Sequence, residues 1–382
     1  MTIEPRIIED FASIDARQWA TLDHADNPFL SHAFLSALES SGSVHAGSGW
    51  IPHHLALYEK ERLVAFAPTY LKNHSHGEFV FDWSWADAYQ RLGLSYYPKL
   101  LTAIPYTPVS GPRLLTRRDH PEPGLLRERL VQLALDCCAR RQLSSWHCNF
   151  VIDGERAALE SQQLLPRHDW QFHWRNESFT DFDDFLARLR SRKRKNIRRE
   201  RRQVREAGIG FHCHQGRDVT TAELDFLYRC YIRTFRLYGN HPALTQSFFE
   251  TIAPALDERF VLVVAARGDE PVAMSLFLAG GGRLYGRYWG CTEDVPGLHF
   301  ETAYYQGIEY CIRNQIGVFE SGAQGEHKLS RGFLPQRTRS YHFLSDVRLR
   351  GAIAAHLERE RAWMREYREE LAPHAPFREP SA

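Results

Sequence analysis

Two stretches of the chain concentrate side chains that can move protons. In ESGAQGEHKLSRGF, the residues Glu320, Glu326, His327, Lys328 and Arg331 stand among three glycines. In RYWGCTEDVPGLHFETAYYQG, Trp289 ends a strand, Pro296 and Gly297 turn the chain, and His299 and Glu301 open a tyrosine-rich helix. Carboxylates, imidazoles and an amine in a loop placed by a strand and a helix suit general acid–base work. The structural alternative is that His299 and Glu301 cap a helix while the glycine-rich loop is a polar turn.

Other chemistries find less support. No G-x-S-x-G elbow, Walker loop or G-x-G-x-x-G string lies in a strand–turn–helix setting. In FHCHQ, alternation puts His212 and His214 on one strand face and Cys213 on the other, with no second ligand pair at a recognisable spacing. No metal site is expected.

A third stretch is built to meet charge. SRKRKNIRRERR, residues 191–202, holds eight cations, although the chain balances 48 Lys+Arg against 47 Asp+Glu for a net charge of +1. Thr180 and Asp183 make a capping box, Phe182, Phe185, Leu186, Leu189, Ile197 and Val204 form one apolar stripe, and Gly208 supplies the stop, predicting a single helix over 181–207. Arg194 with Arg198, Lys195 with Arg199, and Arg198 with Arg202 are like-charge pairs at i,i+4, each costing about 0.2–0.5 kcal/mol. A face that carries this cost is expected to meet phosphates. The alternative is a solvated face, or one paired with acids from elsewhere. Charge alone does not separate RNA, a nucleotide diphosphate and an anionic lipid surface.

The elements that must position these groups come in two sets. LALYEKERLVAF (55–66) aligns without a gap on VVAARGDEPVAM (263–274), each a strand, a charged turn and a strand beginning Val-Ala, at an offset of 208. EFVFDW (78–83) then resembles RLYGRYW (283–289) as a third strand. Amphipathic helices follow at 125–141 and 300–315, and short strands at SSWHCNF and VFESGA. Three antiparallel strands, a helix and another strand thus form an α/β unit present twice. PYTPVSGPRLL, a proline-braced loop of the first unit, either lines a ligand cleft or closes a domain. The first unit lacks counterparts to LHFE and GEHK, so it is expected to serve acceptor binding and structure.

Length supports two domains with real cores. The longest apolar run, FVLVVAA, is seven residues, against about 20 needed to span a bilayer, and the amino terminus lacks the basic and apolar regions of a signal peptide. Seven scattered cysteines without C-x-x-C fit a reducing cytoplasm. Peripheral membrane association stays open.

The strings PYTPVSGPRLL, HWRN, RKRKNIRRERR, GRYWG, LHFE, YYQGIEY and GAQGEHKLSRGF, with the tandem units around a basic helix, resemble the FemAB-like group of peptidoglycan biosynthesis or recognition, over about residues 20–375. That group lies within the acyltransferase superfamily that folds as GNAT. The resemblance implies two tandem GNAT-like α/β domains, each a mixed, mainly antiparallel sheet flanked by helices: 1–175, and 176–382 with the basic helix and the C-terminal helix. It implies transfer of an acyl or aminoacyl group from an activated donor, aminoacyl-tRNA in the better-understood members, to an amine acceptor such as a peptidoglycan precursor peptide. No cofactor is then needed beyond the donor.

By the same resemblance Arg194, Lys195, Arg198 and Arg199 hold phosphates, with Arg331, Trp289 and Tyr305 in substrate binding. Lys328 sits where related transferases carry a lysine within an F-K-x-x-F-G-like string, although here His327 replaces the aromatic and Gly332-Phe333 are reversed. An amine attacking an activated carbonyl needs a base and an oxyanion donor. Glu301, Glu326, His299 and His327 are the candidate bases or relays, and Lys328 with a backbone N–H near Trp289 the candidate oxyanion partner. Acyl-CoA is the rival donor; VPGLHFETA, with one glycine and no preceding cation, departs from the usual pyrophosphate loop. A non-catalytic binder of precursor or nucleic acid is the third reading.

Overall fold

The computed structural model describes residues 3–322 and 325–378, with the side chains of Glu326 and Ala372 outside that description. Two compact units result: residues 1–169 with 337–366, and residues 170–336 with 367–382. The sequence placed the division at 175/176 and the whole C-terminal helix in the second domain. Instead most of the last strand, from residue 337 on, and most of helix Val347–Leu371 belong to unit 1, because Leu349, Ile353 and Leu357 pack with Trp85, Tyr89 and Tyr96. Among the described residues no helix is long and apolar enough to cross a membrane.

In unit 1, strands β1 (Ile3–Ile8), β2 (Trp50–Pro52), β3 (His54–Glu59), β4 (Arg62–Ala67), β5 (Thr69–Lys72), β6 (Lys99–Thr102), β7 (Leu115–Thr116) and β8 (Ser145–Cys148) come first. β9 (Leu165–Arg175) crosses into unit 2, which adds β10 (Ile209–Gln215), β11 (Phe260–Arg267), β12 (Glu270–Gly280), β13 (Arg283–Cys291) and β14 (Val318–Glu320). β15 (Leu334–Leu344) returns to unit 1. Unit 2 orders its strands β10-β11-β12-β13-β14-β9, and unit 1 contains β1-β3-β4-β7 and β15-β8-β6-β5-β2. Helices flank both sets, giving the mixed, mainly antiparallel α/β class expected.

The duplication is visible residue by residue. In β3/β4, Leu57 pairs with Ala65 and Tyr58 with Leu63, leaving Val64 as a bulge; in β11/β12, Ala265 pairs with Ala273 and Ala266 with Pro271, leaving Val272. The bulge recurs at the same offset of 208 that the sequence alignment used. A bulge is a specific local device, so its exact recurrence follows from common construction rather than from two sheets merely being alike. The terminal strands are exchanged: β9, which follows unit 1's β8, pairs with β14, and β15, which follows β14, pairs with β8.

Three sequence expectations fail here. EFVFDW is not a strand: residues 73–98 form a long connection between β5 and β6 containing helix Trp83–Arg91. Glu78 and Asp82 point inward to Lys99 while Phe79 and Phe81 point out, an alternation that mimics a strand. The 181–207 helix is also two helices, Phe182–Arg188 and Ser191–Glu206. Leu189 bridges to Phe377, and Arg190 N–H donates to the Pro376 carbonyl, so the C-terminal segment pulls the backbone out of the helix. The cap shifts too: Asp181, not Thr180, accepts from the Asp184 N–H.

Candidate active site

The site in unit 2 grows from the parallel pair β13/β14 and its neighbour β9. Glu320 ends β14 opposite Tyr285 on β13 and His173 on β9. Its carboxylate is buried and accepts from Arg283 Nη1 at 2.6 Å; burial outweighs that cation and pushes its pKa up to about 7. His173 Nε2 stands 3.7 Å from Glu320 Oε2, beyond hydrogen-bond distance. Burial, then Arg283, Arg175 and Lys328, hold His173 down at about 3, so its ring is neutral. Glu320 Oε2, His173 Nδ1 and Ser321 Oγ are buried without a hydrogen-bond partner among the described residues. Buried polar atoms cost free energy when unpaired, so three of them on adjoining strand ends are a feature that the fold alone does not explain.

Lys328 lies in the 3-10 turn Glu326–Arg331, 3% exposed. Its ammonium donates to the Gly322 carbonyl at 2.9 Å, and burial alone lowers its pKa to about 7. Among the described side chains no carboxylate pairs with it; that of Glu326 lies outside the description. A carboxyl and an amine, eight positions apart on either side of one glycine loop, are both poised near neutrality. That is the condition for acid–base work at physiological pH.

An aromatic wall stands beside them. His299 packs on Trp289 with ring centroids 4.6 Å apart, and Tyr304 Oη lies 2.9 Å from His327 Nε2. His299 is held at about 4 by burial, with His327, Arg331 and Lys328 adding to the shift. The His299 ring is therefore neutral, and burial, with Lys328 and Arg331, pulls the His327 pKa down as well. Trp289 Nε1 is buried without a hydrogen-bond partner among the described residues, and the Trp289 carbonyl accepts from Thr234 Oγ1.

Other residues singled out by sequence have partners of their own. Glu301 is 2% exposed and accepts from Arg201 and Gln306, which fixes helix Ser191–Glu206 to the start of the tyrosine helix. Arg331 donates to Glu200, to Tyr305 Oη and to the His327 carbonyl, with its guanidinium over the Phe300 ring. Tyr305 donates in turn to Glu200. Glu200, which has no helical cation neighbour, is thus explained by a cation from a distant turn. These groups brace the Lys328 turn.

The cations of helix Ser191–Glu206 divide the same way. Arg201 is consumed by Glu301 and Glu309, Arg198 pairs with Asp183 at 2.7 Å on the exposed surface, and Arg202 with Glu206. Arg192, Lys193, Arg194, Lys195, Arg199 and Arg205 have no ion-pair partner among the described residues. PYTPVSGPRLL is closed from inside: buried Arg113 donates to the carbonyls of Asn149, Pro112 and Val109. His214, from FHCHQ, pairs with Glu223.

Sequence reasoning named Glu320 without selecting it and passed over His173 and Arg283. His173 alternates with Phe172 and Trp174 on β9, and a histidine framed by aromatics was the available signal.

Residues 10–379 match the model of a family described as FemAB-like, peptidoglycan biosynthesis/recognition. No curated protein matches the chain. Among solved structures, FemX is similar with a TM-score of 0.52 at 11% identity, over 92% of this chain and 100% of that one. The C-terminal domain of a candidate lysylphosphatidylglycerol synthetase from Agrobacterium fabrum gives 0.54 at 9% identity, over 92% and 97%. A conserved protein of unknown function from Bacteroides thetaiotaomicron gives 0.52 at 10%, over 89% and 99%. At these identities what is shared is the fold.

Proposed function

The chain belongs to the FemAB-like family, and from that premise we propose that it is an acyl- or aminoacyltransferase whose chemistry lies at the Lys328 corner of unit 2. The observation that carries this reading is a buried ammonium without a carboxylate partner among the described side chains, eight positions along the chain from a buried carboxylate poised near 7, with His173 feeling the charge of Lys328 and lying 3.7 Å from Glu320. As the acceptor amine attacks the donor carbonyl, Glu320 takes the N–H proton and protonated Lys328 donates to the oxyanion. Collapse forms the amide and expels the leaving oxygen or sulfur, which receives the proton from Glu320. Neutral His173, His299 and His327 accept hydrogen bonds from the amine and need no charge of their own. No enzyme nucleophile enters. One preorganised oxyanion donor is worth about 10²–10³ in kcat.

Aminoacyl-tRNA is the donor we favour, with the unpaired cations Arg194, Lys195 and Arg199 on its phosphates, and a peptidoglycan precursor amine as acceptor. Gly297 weighs against acyl-CoA. The helix entry where a pyrophosphate would sit is covered by helix Ser191–Glu206: a Cβ at Gly297 would stand 3.2 Å from the Glu200 carbonyl oxygen, and Leu298 packs with Val204. A binder without turnover is the remaining alternative.

Native mass spectrometry with a total tRNA pool and with acetyl-CoA separates these readings. Binding of tRNA that is lost when Arg194, Arg198 and Arg199 become Glu supports the aminoacyl donor. Binding of acetyl-CoA untouched by the triple change overturns it in favour of an acyl-CoA transferase.

A further inference from the structure

Helix Thr221–Leu237 of unit 2 supplies no group to the chemistry at Lys328, yet it leaves a charged face to solvent. An open groove of ≈ 480 Å³ lies along that face, lined by Tyr228, Arg229, Ile232, Arg233, Arg236 and Leu237. Their spacing puts them together: positions 229, 233 and 236 fall on one side of a helix, with 228 and 232 beside them. The result is a half-buried apolar seam, Tyr228 and Ile232, between exposed cations.

Those cations are not compensated. Arg229, Arg233 and Arg236 are exposed and have no ion-pair partner among the described residues. Arg229 with Arg233, and Arg233 with Arg236, are like-charge neighbours that weaken the helix. The acids of this helix lie at its other end and are engaged: Glu223 closes the cap with Thr220, and Asp225 accepts from Gln246. The helix dipole favours a cation in the last turn, which accounts for Arg236 but not for Arg229.

Where the helix ends, two large apolar side chains stand in solvent, Leu237 at 71% and Tyr238 at 77% exposed. They are held there. Asn240 N–H donates to the Phe235 carbonyl and Gly239 N–H to the Arg236 carbonyl, a Schellman closure that Gly239 permits with its φ of 68°. The chain beyond is tied back, because Tyr231 Oη accepts from the N–H groups of Ala243 and Leu244. A fixed apolar tip beside an uncompensated row of cations suits a surface that is anionic outside and apolar beneath. RNA would satisfy the arginines and leave Leu237 without an apolar layer to enter. A second copy of this chain would set the same cations against one another in a two-fold contact.

We propose that this face docks on an anionic bilayer, with Arg229, Arg233 and Arg236 on lipid phosphates and Leu237 and Tyr238 entering the headgroup layer. The helix packs directly on β13: Thr234 Oγ1 donates to the Trp289 carbonyl at 3.0 Å, and the Tyr231 and Tyr288 rings meet with centroids 4.8 Å apart. Docking therefore seats the strand that carries Trp289 near the lipid. It is read without turnover, so it stands or falls apart from the transfer reaction.

The test is flotation of the full-length protein with phosphatidylglycerol vesicles and with phosphatidylcholine vesicles. The protein should float with the first and not with the second. Arg233→Glu with Arg236→Glu should weaken binding about tenfold or more, and Leu237→Ser with Tyr238→Ser should weaken it as well. All four side chains are exposed, so the fold should survive. Because helix Ser191–Glu206 also carries unpaired cations, Arg194→Glu with Arg199→Glu is the control and should leave flotation largely unchanged. Absence of flotation with phosphatidylglycerol overturns the proposal, as does flotation that only the control substitutions abolish. A lipid-free dimer, seen by sedimentation and broken by Leu237→Ser with Tyr238→Ser, would give the face to a second copy and overturn it too. Binding of a total tRNA pool that Arg233→Glu with Arg236→Glu removes, without flotation, would give the face to RNA with the same consequence.

Discussion

Lys99, His147 and His342 of unit 1 occupy the strand positions that Arg283, Glu320 and His173 occupy in unit 2: Lys99 opposite Lys72 as Arg283 is opposite Gly280, His147 opposite Leu101 as Glu320 is opposite Tyr285, and each distal histidine opposite its partner. Their fates differ. Lys99 is fully buried and donates to Glu78 at 2.8 Å and to Asp82. His147 and His342 meet through their Nδ1 atoms at 2.6 Å, and burial keeps both rings neutral. In unit 2 the Arg283 side chain is 41% exposed and Glu320 retains an unpaired oxygen. At the same offset of 173 that relates β8 to β14, Lys328 corresponds to Glu155, whose carboxylate is filled by the N–H groups of Arg113, Leu114 and Ile152.

The cause is the length of one connection. β12 passes to β13 through Gly281 and Gly282, a turn too short to bring acids onto Arg283, whose side chain stays 41% exposed. β5 passes to β6 through residues 73–98, which bring Glu78 and Asp82 down onto Lys99 and roof the corner with Trp85, Tyr89 and Tyr96. The same duplicated frame thus carries a closed ion cluster in one copy and, in the other, a buried carboxylate held by one partly exposed arginine.

Four perturbations sharpen that contrast. The largest effect is expected from Lys99→Met, which strands two buried carboxylates; a loss of about 3–5 kcal/mol in unfolding free energy, read by denaturant titration, is expected. Transfer activity per folded molecule should not change. Next, Glu320→Gln keeps the size of the side chain but removes the proposed base, so kcat should fall about 10²–10⁴-fold in a steady-state transfer assay while donor affinity is kept. The third is a pH profile. Glu320 must be ionised, which it is above about 7, and Lys328 protonated, which it is below about 7. The kcat/KM profile should therefore be a narrow bell centred near pH 7, losing its acid limb in Glu320→Gln. The smallest effect concerns Arg198 and Asp183: this exposed pair is worth about 0.2–1 kcal/mol at most, and Asp183→Asn should barely move the melting temperature.

Much of this was legible in the sequence because it is local. The hairpins and their offset, the apolar stripe of Phe182 to Val204, and the charged turn around Lys328 are set by periodicity and turn residues within a few positions. What stayed hidden is set by distant partners. EFVFDW alternates like a strand because Lys99, a residue well downstream, draws Glu78 and Asp82 inward. The break at Leu189 comes from Phe377 at the far end of the chain. Glu301 has the type and place of a catalytic acid, yet Arg201 lies a hundred residues before it and holds it. Conversely, Glu320 and His173 looked ordinary until pairing of β14 with β9 set them side by side.

On the proposed mechanism Lys328, and not its counterpart in unit 1, serves the chemistry. Lys328→Met, in a single-turnover transfer assay with charged tRNA and a precursor peptide, puts that role to the test, with binding of both followed in parallel by native mass spectrometry. The transfer rate should fall by about 10²–10³, with both ligands still bound and the alkaline limb of the pH profile gone. A rate within a few fold of the unsubstituted protein, with the bell intact, would contradict it.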